Sequence, residues 1–127
     1  MMKKLFTNSL YIKVDKNKFE AKNISTNGNW ETIYPASPYT TNRLLVGTFS
    51  AAESALTKLI KNILPKSIIS KSPQVVIQPI SMIEGGLSEV EERIFKELAL
   101  GAGAFKVILH VGAALTDGEV VELIGSA

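Results

Sequence analysis

The chain of 127 residues has no cysteine, which excludes disulfides and thiolate metal sites and suits a cytoplasmic protein. It has no apolar run near the length of about 18 residues that a membrane helix needs, so no membrane span is expected. Residues Met1 to Lys4 are basic and Leu5 and Phe6 apolar, but the apolar part stops there, too short for a signal peptide. A frayed terminus is the expected state, with weak peripheral membrane contact through Leu5 and Phe6 as the alternative. Histidine occurs once, at His110, with no second histidine or nearby carboxylate to form a metal site. Excess charge is also scarce: the net value is +2, too little by itself to argue for a nucleic-acid partner. What is plentiful is apolar surface, 46% of residues. That is enough for a real core in one domain spanning residues 1–127.

The most legible stretch runs from Pro73 to Val111. Gln74 to Pro79 reads as a strand and Ser88 to Leu100 as a helix. Gly101-Ala102-Gly103-Ala104 is a stop, and Phe105 to Val111 a second strand. Ser88 and Glu91 have the spacing of a capping box. Glu89, Glu91 and Glu92 lie at the positive end of the helix dipole. Val90, Ile94 and Leu98 form an apolar stripe, and Gly101 or Gly103 supplies the left-handed stop. Such a βαβ unit places its two strands parallel in one sheet. The almost wholly apolar second strand is expected to be covered on both faces.

Before it, Ser9 to Val14 alternates, with Leu10, Ile12 and Val14 on one face and Tyr11 and Lys13 on the other, as in a half-buried strand. Asp15-Lys16-Asn17 turns into Lys18 to Asn23, with Phe19 and Ala21 inward. Asn27-Gly28 turns into Trp30 to Tyr34, completing an antiparallel meander. Pro35 to Asn42 reads as loop. Ser50 is expected to open a helix, capped with Glu53, that carries an apolar stripe from Ala52 to Leu64 and stops at Pro65. At the other end, Thr116 and Glu119 suit a short helix, whereas Val120, Val121 and Ile124 suit a strand equally well. The element order is β-β-β-α-β-α-β plus a tail.

The run from Ser88 to Leu109 resembles MreB, the family of bacterial actin-like rod-shape proteins, in which this region follows the pattern TxVERRAxRExAxGAGAREVxLI. Met2 to Ile12, Ala52 to Lys61 and Ser72 to Val76 are similar to other parts of that family's first domain. About two-thirds of the chain is covered. The gap lies at Ile24 to Tyr39, where the family inserts a longer subdomain, and no counterpart of its second domain is found. The resemblance implies an actin-like, ribonuclease-H-like α/β core: a five-stranded mixed sheet in the order 3-2-1-4-5 with helices packed on it.

It also implies where chemistry should be. In the family the first hairpin cradles phosphate with Asp-Leu-Gly-Thr-Ala-Asn, where glycine lets backbone amides approach and the aspartate works with the metal. Here the aligned residues are Lys13-Val14-Asp15-Lys16-Asn17-Lys18. Lys13 replaces the aspartate and Asp15 the glycine. Lys13, Asp15, Lys16 and Lys18 therefore make a degenerate phosphate loop, read as a solvated hairpin tip. After the last strand the family carries a glutamate that orients water; His110 to Leu115 has no carboxylate. Serines and threonines have no base to activate them. Gly101-Ala102-Gly103 ends a helix and presents carbonyls, not amides. The expectation is thus no enzyme, no cofactor and no metal. The function expected is contact with a protein partner or a second copy, linked through the resemblance to cell shape or the envelope. The interface expected is Val111, Leu115, Val120, Val121, Leu123 and Ile124, unless the tail folds back as a core helix. One alternative is a nucleotide-binding ATPase fragment completed by a partner chain. Another is nucleic-acid binding through Lys13, Lys16, Lys18, Lys22 and exposed Trp30 or Tyr11; it lacks the clustered carboxylates of the corresponding nucleases.

Overall fold

The structure, a computed structural model, describes residues 7–66 and 72–126. Leu5 and Phe6, and most of the expected link from Lys66 to Ser72, lie outside the described residues.

Strand β1 (Ser9–Asp15) pairs antiparallel with β2 (Lys18–Asn23), and β2 pairs antiparallel with β3 (Glu31–Ile33). Asn17 and Asn27 take the left-handed turn positions, with φ of 49° and 53°, which asparagine tolerates better than most residues. Helix α1 (Phe49–Ile63) follows, then β4 (Gln74–Pro79), α2 (Glu89–Gly101), β5 (Lys106–Leu109) and α3 (Asp117–Ser126). β4 lies parallel to both β1 and β5, giving one mixed sheet in the order β3-β2-β1-β4-β5. This is the order implied by the resemblance.

The two faces are covered unequally. Helices α1 and α2 pack on one face over Leu10, Ile12, Val14, Phe19, Val75 and Ile77. α3 packs on the other with Val120 and Ile124 against Tyr11, Ile24 and Val76. β1 is therefore not half-buried: Tyr11, expected on the open face, is only 1% exposed because α3 sits on it. No helix among the described residues is long and apolar enough to cross a membrane.

The helix ends show the local rules at work. The Ser88–Glu91 capping box of α2 is formed in both directions, at 2.9 and 3.1 Å. At the other end Gly103, with φ of 122°, is the left-handed residue. Its amide bonds Leu100 O at 3.1 Å, and Ala104 N bonds Ala99 O at 3.0 Å. That pair of bonds is a Schellman stop. α1 differs from expectation. It starts at Phe49 behind Thr48, whose side chain makes no cap bond, and Ser50 lies inside the helix. The start is set from outside, because Gly47 N and Thr48 N both bond Tyr39 O, at 2.8 and 2.9 Å.

The tail is a helix, not a strand. Thr116 N bonds Glu119 Oε1 at 2.8 Å and Glu119 N bonds Thr116 Oγ1 at 3.2 Å, a second capping box. β5 is shorter than expected and is the edge strand, so its four residues are only half-buried. Helices touch both its faces, which explains its apolar sequence, while its outer edge carries no strand among the described residues.

Val120 is the anchor of α3, fully buried between sheet and helix. Val120→Ala should destabilise the chain by roughly 1–3 kcal/mol through lost burial and a residual cavity. The check is a lower urea midpoint with an unchanged slope.

Candidate functional site

The β1–β2 hairpin tip, where the resemblance would place phosphate, is bound to the chain's own loop. Lys16 N donates to Asp15 Oδ1 at 2.7 Å, Asn17 N to Thr40 Oγ1 at 3.0 Å and Lys18 N to the Tyr39 hydroxyl at 2.9 Å. Three consecutive amides thus already have acceptors. Asn17 Oδ1 in turn accepts from Tyr39 N and Thr40 N, at 2.8 and 2.9 Å. The Tyr39 hydroxyl donates to the Asp15 carbonyl at 2.6 Å, with the Lys18 carbonyl 2.9 Å away. Its ring is buried and stacks on Phe19 with centroids 4.9 Å apart. The tip is therefore not simply solvated: Lys16 is exposed, but Asp15 and Lys18 are partly buried.

Asp15 also accepts from Ser81 Oγ, which ties the hairpin to the chain after β4. Burial pushes its carboxyl up. The Ser81 hydroxyl, the Lys16 amide and the charges of Lys18 and Lys16 outweigh that and hold it below the usual carboxylate value. Tyr39 is shifted the other way. Burial raises it strongly, the Lys18 amide opposes, and the Asp15 charge adds to the rise.

Of the lysines named as a possible nucleic-acid face, Lys13, Lys18 and Lys22 share one side of the sheet with carboxylates beside them, while Lys16 is exposed in the turn. Lys13 lies opposite Glu20, and Lys18 opposite Asp15, in the β1–β2 register. Lys22 bonds Asp117 at 3.0 Å. Lys13 Nζ lies 4.6 Å from the centroid of the Trp30 ring, and Tyr11 meets that ring edge-on at 5.3 Å. A balanced face whose aromatic ring is already engaged is a poor match for a polyanion. Tyr11, expected as an exposed stacking residue, is buried.

Beyond β5, the segment where the resemblance would place the water-orienting glutamate is held by a buried polar chain. The Tyr11 hydroxyl donates to Gln78 Oε1 and accepts from Leu115 N at 3.1 Å. Gln78 Nε2 donates to Gly112 O at 2.8 Å. His110 Nε2 lies 2.8 Å from Ala113 O, so its ring closes the same turn. Burial raises the Tyr11 hydroxyl, the Leu115 amide opposes, and the Glu119 charge adds. Neither Gln78 nor its link to Tyr11 was singled out from sequence. The available signal was one long polar side chain following Val75-Val76-Ile77. Among the described residues no group of three or more histidine, aspartate or glutamate side chains is placed to hold a metal.

The six residues expected to form an interface divide. Val120 and Ile124 belong to the core and are not available to a partner; Leu115 and Leu123 are half-buried. Val111 and Val121 are 42% and 55% exposed. Between α3 and the end of β5 runs an open groove of about 460 Å³, lined by His110, Leu115, Glu119, Glu122, Leu123 and Ser126. Phe105, just before β5, is 57% exposed. The structure thus brings part of the expected surface together beside the β5 edge, with Glu119, Glu122 and Phe105 as members that sequence reasoning missed.

No protein-family model matches the chain. It is similar to YjaA of Escherichia coli (strain K12), itself an uncharacterized protein, with 29% identity over 124 residues that cover 91% of this chain and 95% of YjaA.

Two pH effects follow from the hairpin. Because the folded value of Asp15 is lowered, its ionised form adds stability above about pH 4, and that contribution is lost as pH falls through the lowered value. Asp15→Asn should therefore flatten the acid limb of stability measured by urea titration. Tyr39 has the opposite sign: its contribution is complete below about pH 10, where the unfolded chain still holds the proton, and declines above it. Tyr39→Phe should cost roughly 1–3 kcal/mol at neutral pH by orphaning buried backbone groups. The same substitution should remove part of the alkaline decline, read by thermal melts on both sides of that pH.

Proposed function

We propose that this chain is an MreB-like, actin-like core that has given up nucleotide chemistry and works through protein–protein contact, in cell-shape or envelope machinery. The observation that carries contact is the β5 edge. Natural edge strands are usually blunted by charge, proline or a covering element. Here Val107, Ile108 and Leu109 are half-exposed, Phe105 and Val111 flank them, and the one lysine of the strand turns its ammonium to Ile124 O at 2.9 Å. An apolar edge of this kind is where a partner would attach.

The non-catalytic part rests on the hairpin. A phosphate cradle offers free backbone amides, and here residues 16–18 spend theirs on Asp15, Thr40 and Tyr39. Asp15 also brings a carboxylate to the place phosphate would occupy. The actin-like assignment is supported by the strand order β3-β2-β1-β4-β5 together with the residue pattern from Ser88 to Leu109.

Calorimetric titration of the full chain with MgATP should give no binding heat, and a micromolar dissociation constant would overturn the reading. Crosslinked recovery of the tagged chain from its own cells, read by mass spectrometry, should return an actin-like filament protein or an envelope factor. Recovery of the chain alone would remove the cell-shape part.

A further inference from the structure

The geometry points to a specific occupant for the groove between α3 and β5: a short extended peptide that pairs with the β5 edge and carries an aliphatic residue and a lysine or arginine two positions apart. This rests on the protein-contact reading above and names its partner class.

β5 is parallel to β4 and has no neighbour on its other side among the described residues, so one further strand can continue the sheet. Main-chain hydrogen bonds along such an edge give affinity without regard to sequence, and pockets for alternate side chains give selectivity. Four residues of β5 span roughly 13 Å at the usual rise, which suits a peptide of about four to six residues. Successive side chains of a strand point to opposite faces of the sheet. On β5, Ile108 belongs to the cluster under α3, while Val107 and Leu109 belong to the core under α1 and α2. Every second side chain of an added strand therefore turns toward the α3 groove.

The groove sets what those side chains must be. Leu115 and Leu123 supply its apolar part. Glu119 and Glu122 stand on its wall and are both exposed. Among its lining residues there is no lysine or arginine to answer them; Lys22, near the start of α3, is committed to Asp117. His110 is tied to Ala113 O and forms the end of the groove. An aliphatic side chain followed two residues later by a basic one meets the apolar and acidic parts in turn. A neutral or acidic peptide leaves both carboxylates without a cation, although Glu119 also accepts from Thr116 N in the capping box. A second copy of β5 does carry such a pair on this face, Lys106 and Ile108, but in reverse order and with the lysine already bonded to Ile124 O of its own chain. The edge and the charge together thus favour a different chain as occupant.

The test uses the full-length chain labelled with ¹⁵N and an acetylated hexapeptide with valine and lysine two positions apart in a threonine background. The control is the same peptide with glutamate for lysine. Amide shifts should move in β5 and α3, and the β5 amides should gain protection from exchange. The lysine peptide should bind about tenfold tighter than its glutamate partner, in line with charge selection at a partly exposed site. Glu122→Lys removes an exposed side chain outside the α3 capping box, so its fold is expected to persist. It should weaken the lysine peptide about five- to tenfold and reverse the preference. Equal binding of the two peptides, shifts confined to another face, or no shifts at millimolar peptide would overturn the inference. Loss of peptide binding with a concentration-dependent dimer in light scattering would overturn it while leaving the contact reading standing. MgATP binding would instead remove that reading itself.

Discussion

The Tyr11 hydroxyl joins three parts of the chain that are remote in sequence. It donates to Gln78 on the neighbouring parallel strand and accepts from the amide of Leu115, just ahead of α3. Gln78 in turn holds Gly112. A buried polar group left alone costs more than its bond returns, so a network of this kind tolerates only one arrangement. Its consequence is that the loop from 110 to 116 has a fixed path, α3 lands on Tyr11, Ile24 and Val76, and the second face of the sheet is closed where those residues lie. The position of the groove beside β5 follows from that landing.

Most of the architecture was legible because it is local. The Ser88 cap, the glycine stop and the alternation of β2 each depend on residues within one or two turns of each other, and the structure contains them. The α2 stripe holds at Leu98, but Val90, expected in it, is 68% exposed because the helix buries Phe95, Leu98 and Ala99 instead. What failed depended on contacts made from a distance. Ser50 looks like a cap, yet α1 begins at Phe49 because Tyr39 O collects the amides of Gly47 and Thr48. Tyr11 looks exposed by alternation, yet α3 covers it. β5 looks doubly buried from its composition, which records the helices on its faces but says nothing about its open edge.

The same division runs through the candidate site. That the resemblance would set Lys13 and Asp15 where a phosphate cradle needs an aspartate and a glycine follows from comparing residues alone. That the hairpin amides are occupied is not, since their acceptors on Tyr39 and Thr40 lie 21 and 23 positions away. The tail offered a helical and an extended reading of equal weight. The Thr116–Glu119 cap decided for the helix, and this withdrew Val120 and Ile124 from the expected interface. Glu119 and Glu122 read as ordinary solvated carboxylates until the helix placed them along a groove.

The pairing of β1 with β4 also bears on how the chain comes off the ribosome. The meander of β1, β2 and β3 closes from near neighbours, but Tyr11 and Gln78 are 67 positions apart. Contacts of such long separation carry a large closure entropy and form late. Until β4 has emerged, β1 has no partner on its second side and stands at the edge of the meander, with only α1 available to cover Leu10, Ile12 and Val14. The nascent chain thus passes through a window in which its most apolar strand is its edge, and over that window it is a substrate for chaperones or for self-association.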